Sequence, residues 1–595
     1  MKRCLKQKYS KGIERRKIAL KETMKYFKPY IPYILIAVIL LFVEAMLELA
    51  LPGYMADIID DGIIAGNMKE IYKIGVIMIC TSAVIVLCAA GVSLFASKTA
   101  AMSARDIRKA VFRKVMHFAN EEMEDFSTAS LITRSTNDIQ QIQMASVMTV
   151  RMGLFAPVMG IGAIIKALRT SVSLAWTIGV AFGAIIILMI FMFVITIPKF
   201  KVVQEKIDKL NLVMNERLRG ILVIRAFNTQ KHEEDRFDNA NKELTRLNLF
   251  VNRAMSVMMP VMMLIMNLTS ILVVWAGAHY IDAGNLEIGS MLAFVQYAMQ
   301  IIISFLFIAM MFIFLPRAAV SMGRVGEILK KEISITDKEN TQRIKDGHGI
   351  VEFKNVSFRY KDAEEAVLSD ISFVAKPGEM TAFIGSTGSG KTTLVNLIPR
   401  FFDVTEGSIT IDGIDIRDMK QHDLREMIGY VPQKGMLFSG DIQSNIAYGA
   451  EDKSIENIKG AAKIAQAEDF IMEKDEGYIA PVAQGGTNVS GGQKQRISIA
   501  RALAKKAPIY IFDDSFSALD FKTDALLRKE LKKSAGTSTL LVVAQRISTI
   551  ADADQIIVLD EGRIAGKGTH KELMRTCEVY REIAGSQLDS GKEEM

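Results

Sequence analysis

Between residues 31 and 316 the apolar positions run in long blocks, whereas beyond about residue 350 they alternate in short strands and helical stripes. A hydrocarbon core of about 30 Å needs about 20 apolar helical residues. Six blocks meet that length, at roughly 31–53, 72–97, 148–168, 172–197, 256–281 and 290–316. The segments 98–147 and 198–255 are long, charged and helix-prone, and the other connections are short. This pattern predicts an all-α membrane domain over 31–320, with a basic segment 1–30 before it and a polar linker 321–348 after it. From Ile350-Val351-Glu352-Phe353 strands and helices alternate to about residue 585, predicting an α/β domain over 349–585 and a tail 586–595.

Composition follows from that division. Half of the 595 residues are hydrophobic and the mean hydropathy is +0.22, a balance set by the membrane blocks. The net charge of +7 needs no nucleic acid to explain it. Much of it lies in Lys2–Lys28, which fits either contact with anionic headgroups or a solvated tail that fixes orientation. Arg105, Arg108, Lys109, Arg113, Lys199, Lys201 and Lys206 crowd the two long loops, while Asp57, Asp60, Asp61, Asp282 and Glu287 mark the short ones. The positive-inside rule then places both termini, the long loops and the α/β domain in the cytoplasm. Cys4, Cys80, Cys88 and Cys577 have no metal-ligand spacing, and a reduced, cytoplasm-facing protein is expected. The first block is too long for a signal h-region, so no cleavable signal peptide is expected.

The α/β domain carries the chemistry. Gly385-Ser386-Thr387-Gly388-Ser389-Gly390-Lys391-Thr392 fits the pattern G-x-x-x-x-G-K-S/T. It follows the strand-like Met380-Thr381-Ala382-Phe383-Ile384 and precedes the helical Thr393-Leu394-Val395-Asn396-Leu397. In that context glycines let backbone N–H groups wrap phosphates, Lys391 neutralises them and the Thr392 hydroxyl takes Mg²⁺. A chance glycine turn would lack the companions that follow.

Asn488-Val489-Ser490-Gly491-Gly492-Gln493-Lys494-Gln495-Arg496 resembles the ABC signature, with Val489 where leucine is usual. Gln433 resembles the Q-loop residue, Ser517-Ala518-Leu519-Asp520 the D-loop, and Ile509-Tyr510-Ile511-Phe512-Asp513 a Walker B strand ending in a magnesium-binding aspartate. Tyr360 is placed where the family stacks an aromatic ring on adenine. Upstream, Asn137-Asp138-Ile139, Gly220–Phe227 and Arg317-Ala318-Ala319 resemble parts of the membrane domain of ABC exporter half-transporters. The resemblance covers nearly the whole chain. It implies a domain-swapped dimer whose cytoplasmic loops dock on the ATPases, with ATP and Mg²⁺ as ligands. Residues 385–393, Tyr360, Gln433 and Asp513 would then hold nucleotide, with Thr392, Gln433 and Asp513 as metal ligands. Ser490, Gly491, Gly492 and Gln493 would serve the opposite subunit's nucleotide.

Two positions depart from the family pattern. Asp514 stands where a catalytic glutamate is expected, and Gln545, in Val543-Ala544-Gln545-Arg546, where a histidine is expected. Asp514 is one methylene short of reach to an attacking water. Losing a general base costs about 10²–10⁴ in rate. Gln545 can donate a hydrogen bond but carries no charge. Pro481-Val482-Ala483-Gln484-Gly485-Gly486 also lacks the acidic form common in homodimeric members. Together these resemble the degenerate-site half of a heterodimeric multidrug-type exporter. A slow homodimer exporting drug or lipid, and an ATP-gated channel or regulator, remain the alternatives. Lys391, Gln433, Asp514 and Gln545 are the candidate catalytic positions.

The membrane half says less about cargo. Glu44 and Glu48 share one face of the first span, which suggests cation recognition or proton linkage, or else a position that faces an aqueous vestibule or one paired with Arg151 or Lys166. Met255, Met258, Met259, Met262, Met263 and Met266 form a stripe expected to make one helical face, suited to a cavity for varied apolar ligands or to plain packing. Asn267, Gln296 and Gln300 could add hydrogen bonds inside the bundle. The expected cargo is an amphiphile: a drug, lipid or peptide.

Overall fold

The computed structural model describes residues 20–344, 347–361, 363–534 and 536–590. Most of the basic segment and the last residues of the tail lie outside the described residues. The chain divides into two compact units: residues 128–331 with everything before 117, and residues 117–127 with everything from 332.

In the first unit the membrane blocks become helices α1 (Ile31–Glu48), α2 (Met68–Val115), α3 (Asn137–Met148), α4 (Phe155–Thr170), α5 (Ala175–Arg219), α6 (Gln230–Asp282) and α7 (Ile288–Lys330). Six helical stretches among the described residues are long and apolar enough to cross a membrane. Several run far past their apolar blocks, and α2 reaches Val115 through the charged segment after its span. The helix outlasts the hydropathy because backbone hydrogen bonding continues once the side chains become polar. α7 likewise continues through the first part of the linker to Lys330.

Small residues let these helices approach. A Cβ at Gly162 would lie 2.3 Å from Leu49 Cδ1, and one at Gly289 would lie 2.4 Å from the Ala56 carbonyl oxygen. The Asp60 carboxylate accepts from the backbone N–H groups of Gly289 at 2.8 Å and Ser290 at 3.2 Å, satisfying the open N-terminus of α7. At the cytoplasmic end of the bundle, buried Asp138 accepts from the Ser321 hydroxyl at 2.9 Å and pairs with Arg324 at 3.3 Å.

The methionine stripe does not form one face. Met262 is buried, with Met258 and Met266 packed beside it against Ala181, Ile185 and Ile302, while Met255 joins a separate cluster with Val203 and Val251. Met259 and Met263 point outward, 50% and 60% exposed. Adjacent methionines diverge by about 100° on a helix, so the doublets build two ridges rather than one.

The second unit is built on a sheet ordered β12-β11-β3-β10-β9-β6, comprising Arg563–Gly568, Gln555–Asp560, Met380–Gly385, Thr539–Val543, Ile509–Asp513 and Ile428–Val431. All neighbours are parallel except β11 and β12. Apart from the antiparallel edge strand β12, its strands are apolar on both faces, as a parallel sheet covered on both sides requires. Ile509, Ile511, Leu541, Val543 and Phe383 face one core, and Tyr510, Phe512, Leu540, Val542 and Ala382 the other. An antiparallel sheet ordered β2-β1-β4-β5 covers the first core, formed by Leu368–Ala375, Val351–Phe358, Glu406–Ile411 and Ile414–Asp415. The helix Asn120–Asp125, from the tip of the first cytoplasmic loop, folds with this unit: buried Glu122 accepts from the Ser334 amide at 3.1 Å.

Candidate nucleotide site

Parallel register brings the separated motifs together. Val543 lies beside Asp513 on one neighbour and beside Phe383 on the other, so β9 and β10 end level and β3 runs two residues further, to Gly385. The loops leaving that edge carry the P-loop, Asp514 and Gln545, and β6 adds Gln433 beyond Val431. Ligands bind outside the carboxyl ends of strands in open α/β sheets for this reason.

The loop 385–390 turns into helix α8 (Lys391–Leu397) through Gly388 at φ +88° and Gly390 at φ +94°. A Cβ at Gly390 would also meet Leu368 at 2.7 Å, so both conformation and space require glycine. Lys391 Nζ donates to the Gly385 and Ser386 carbonyl oxygens at 2.9 and 2.7 Å. Thr392 donates its hydroxyl to Asp513 Oδ1 at 3.0 Å. Burial pushes the Asp513 carboxyl above its ordinary range, with Asp514 adding to the rise and the Thr392 bond opposing it. Burial lowers the Lys391 ammonium, opposed by the two aspartates. A desolvated cation and a desolvated anion on opposite sides of a glycine cradle fit a phosphate chain with its divalent cation.

Asp514 adopts a left-handed backbone, φ +47°, at the end of β9. Aspartate visits this region more readily than most residues. The turn carries its side chain, 7% exposed, toward the two neighbouring loops. Asp514 Oδ2 accepts from Gln545 Nε2 at 2.7 Å and from Gln433 Nε2 at 3.2 Å. The two residues that depart from the family pattern are therefore direct partners. Tyr360 rests edge-on to Phe358 and Phe402, and its hydroxyl meets Thr393 Oγ1 at 3.1 Å.

Ser490–Gln493 lie elsewhere. Ser490 caps helix α9 (Gly491–Ala504) through a reciprocal pair with Gln493, at 3.1 and 3.3 Å. Among the described residues no hydrogen bond links these four to the P-loop. Their connection runs through Gln495, which holds Pro432 and Gly435 on either side of Gln433. The segment 481–486 turns through Gly485 and Gly486 at φ +67° and +65°, clasped by the Asn488 side chain.

One contact had no signal in the sequence. Gln587, on the C-terminal helix α10 (Glu578–Ser590), donates to the Gln545 carbonyl oxygen at 2.7 Å and accepts from the Ile547 amide at 2.8 Å. A lone glutamine in a polar helix carries no pattern that would mark it.

Comparison with known proteins agrees with this geometry. Residues 34–322 match the ABC transporter transmembrane region and residues 368–517 the ABC transporter family. An uncharacterized ABC transporter ATP-binding protein of Mycobacterium tuberculosis is 38% identical over 95% of this chain and 97% of its own length. The ATP-dependent lipid A-core flippase of Syntrophus aciditrophicus is 30% identical over 94% and 93%. A solved bacterial Atm1-family ABC exporter with ATP bound superposes with a TM-score of 0.75 at 25% identity, covering 93% of this chain and 98% of that one. The chain belongs to the ABC exporter half-transporters, multi-pass membrane proteins that join six spans to a cytoplasmic ATP-binding domain.

Proposed function

We propose that this chain is the ATP-binding and permease subunit of an exporter in which its own P-loop site retains ATP and hydrolyses it slowly. Exporters of this family work as dimers, and the missing catalysis would come from a second, different half-transporter. The observation that carries this reading is the 2.7 Å bond between Gln545 and Asp514. Both amides already occupy Asp514 Oδ2, and the short arm leaves the carboxylate further from an attacking water. The substitutions at 514 and 545 thus act on one contact rather than as separate drift.

Tyr360, residues 385–393 and Gln433 would hold the nucleotide, and Thr392, Gln433 and Asp513 would ligate Mg²⁺, which supplies charge compensation to the phosphates. Ser490–Gln493 would complete the partner's site, consistent with their separation from the P-loop of their own chain. Cargo is assigned as an amphiphile on two grounds: the exposed apolar surface of the spans, and relatives named for multidrug export and lipid A-core flipping.

Purification of the tagged chain from its native membrane tests the pairing. A co-purifying half-transporter with glutamate and histidine at the two positions is expected, and a lone chain with brisk turnover overturns the reading. Asp514→Glu combined with Gln545→His should raise hydrolysis at this site by up to about 10²-fold, the lower bound for a general base. An unchanged single-site rate would sink the claim that these two residues silence it.

A further inference from the structure

A partly open cavity of about 410 Å³ lies in the membrane unit among α1, α2, α7, the end of α3 and the turn from α3 into α4. That volume lies in the range of small-ligand sites. Its apolar wall includes Leu41, Val92, Phe155 and Phe307, and two opposite charges line it, Glu44 and Arg151. No hydrogen bond or ion pair within 4.0 Å engages either of these charged groups among the described residues. Two opposite charges that face one cavity at membrane depth without touching are costly, and such groups are functional candidates by default.

The backbone supports a built site. Residues Thr149–Leu154, which carry Arg151, form a π-helical turn rather than continuing the α-helix. Such a turn takes one extra residue and re-aims those that follow, and single π-turns cluster at functional sites. Glu48, one helical turn beyond Glu44, is not among the cavity's lining residues. The carboxylate facing Arg151 is therefore specific to position 44.

We propose that this cavity binds the head of a zwitterionic amphiphile, its ammonium at Glu44, its phosphate or carboxylate at Arg151 and its apolar body along the aliphatic and aromatic wall. A ligand bearing only one charge leaves the other group unpaired, so the site selects for both charges on one molecule. This deepens the export of amphiphiles proposed above and rests on it for the transport role, while binding itself requires no nucleotide.

The test uses the full chain with its co-purifying subunit in a nonionic detergent. Binding is measured without ATP for a lysophosphatidylethanolamine, a lysophosphatidylglycerol and an alkylamine of equal chain length. The zwitterion should bind at least tenfold tighter than either singly charged probe; equal affinities in the unaltered protein overturn the proposal, whatever the variants do. Glu44→Gln should reduce zwitterion affinity to that of the anion, Arg151→Gln to that of the cation, and Glu48→Gln should change nothing. A ranking untouched by Glu44→Gln in a folded variant also overturns it. Free phosphoethanolamine separates the sources: displacement at matched concentration assigns a soluble zwitterion, and a large preference for the lysolipid assigns a lipid. Reconstituted transport separates this claim from the broader one. Outward movement of all three probes without preference removes the site and keeps amphiphile export, whereas the expected binding order with no ATP-driven movement removes amphiphile export and keeps the site.

Discussion

The ATPase unit buries most of its large apolar residues while the membrane unit leaves many of them facing outward, and the two treat their polar groups in opposite ways. In the ATPase unit, Lys391, Thr392, Gln433, Asp513, Asp514 and Gln545 converge on one sheet edge, and within that set Thr392 bonds Asp513 while both glutamines bond Asp514. In the membrane unit the polar contacts are dispersed: Asp60 caps one helix, Asp138 ties another, and the Tyr297 hydroxyl reaches the Leu49 carbonyl oxygen at 3.3 Å. Phosphate chemistry needs a fixed set of donors at fixed distances, so it leaves spaced motifs. A bundle of apolar helices can pack in many ways with each polar contact serving its own neighbourhood, so it leaves a topology and little else.

The largest effect that tests this contrast is on stability. Phe383 is wholly buried at the centre of β3 and meets the Phe373 ring edge-on at 5.4 Å. Phe383→Ala should cost about 3–5 kcal/mol, read as a lowered unfolding midpoint of the ATPase unit with the membrane unit's transition unmoved. A loss shared equally by both transitions would mean that the units do not unfold separately.

The next effect concerns the two nucleotide-facing surfaces of the same chain. A Cβ added at Gly491 meets nothing within 4 Å. Gly491→Ala should therefore fold normally yet lower turnover of the complex by about tenfold, equivalent to about 1.4 kcal/mol of lost transition-state binding, because in the proposed pairing the methyl would crowd the partner's phosphates. Asp514→Ala should alter turnover by less than about twofold if, as proposed, the bond it removes serves a slow site. The reverse order would place hydrolysis at this chain's own P-loop.

A smaller effect is expected where the membrane unit is tightest. Gly289→Ala drives a methyl into the Ala56 carbonyl oxygen and the Asp60 carboxylate. Overpacking of this kind costs about 1–3 kcal/mol, seen as a lowered melting temperature in detergent with nucleotide binding intact. Unchanged melting would show that the first and sixth spans separate at that end without penalty.

What could be read in advance follows the same division. Six spans, their orientation and the nucleotide motifs were legible because apolar length and phosphate-binding loops are local properties. The reach of α2 to Val115 and of α7 to Lys330 was not, because hydropathy stops reporting at the lipid boundary while helical hydrogen bonding does not. Asp514 and Gln545 could be flagged singly, but their direct bond depends on the parallel register of β9 and β10. The Glu44–Arg151 cavity was half visible: the sequence linked the two residues only as one option, an ion pair that the structure does not form, and the π-helical turn that carries Arg151 has no sequence signature. Gln587 was invisible, since its clamp on residues 545 and 547 is set by where a polar helix happens to dock.

The smallest expected effect is a pH response in the cytoplasmic extensions. Glu233 on α6 accepts from Arg217 Nε on α5 at 2.6 Å. That bond, aided by the nearby Arg217 and Arg236 charges, holds the Glu233 carboxyl below the usual glutamate range. A group whose folded value is depressed contributes in full above its unfolded value, near about 4.3, and loses that contribution as pH falls through the lower folded value. The extensions of α5 and α6 should therefore stay closed at neutral pH and loosen only under acid. Backbone protection over residues 213–236, corrected for the intrinsic pH dependence of amide exchange, should fall below about pH 4, and Glu233→Gln should flatten that fall. The effect should be modest and weaken in high salt, as for other solvent-reached ion pairs. An acid response that persists in Glu233→Gln would assign the loosening to other carboxylates, first of all Glu243, which accepts from Lys206 Nζ between the same two helices at 2.6 Å.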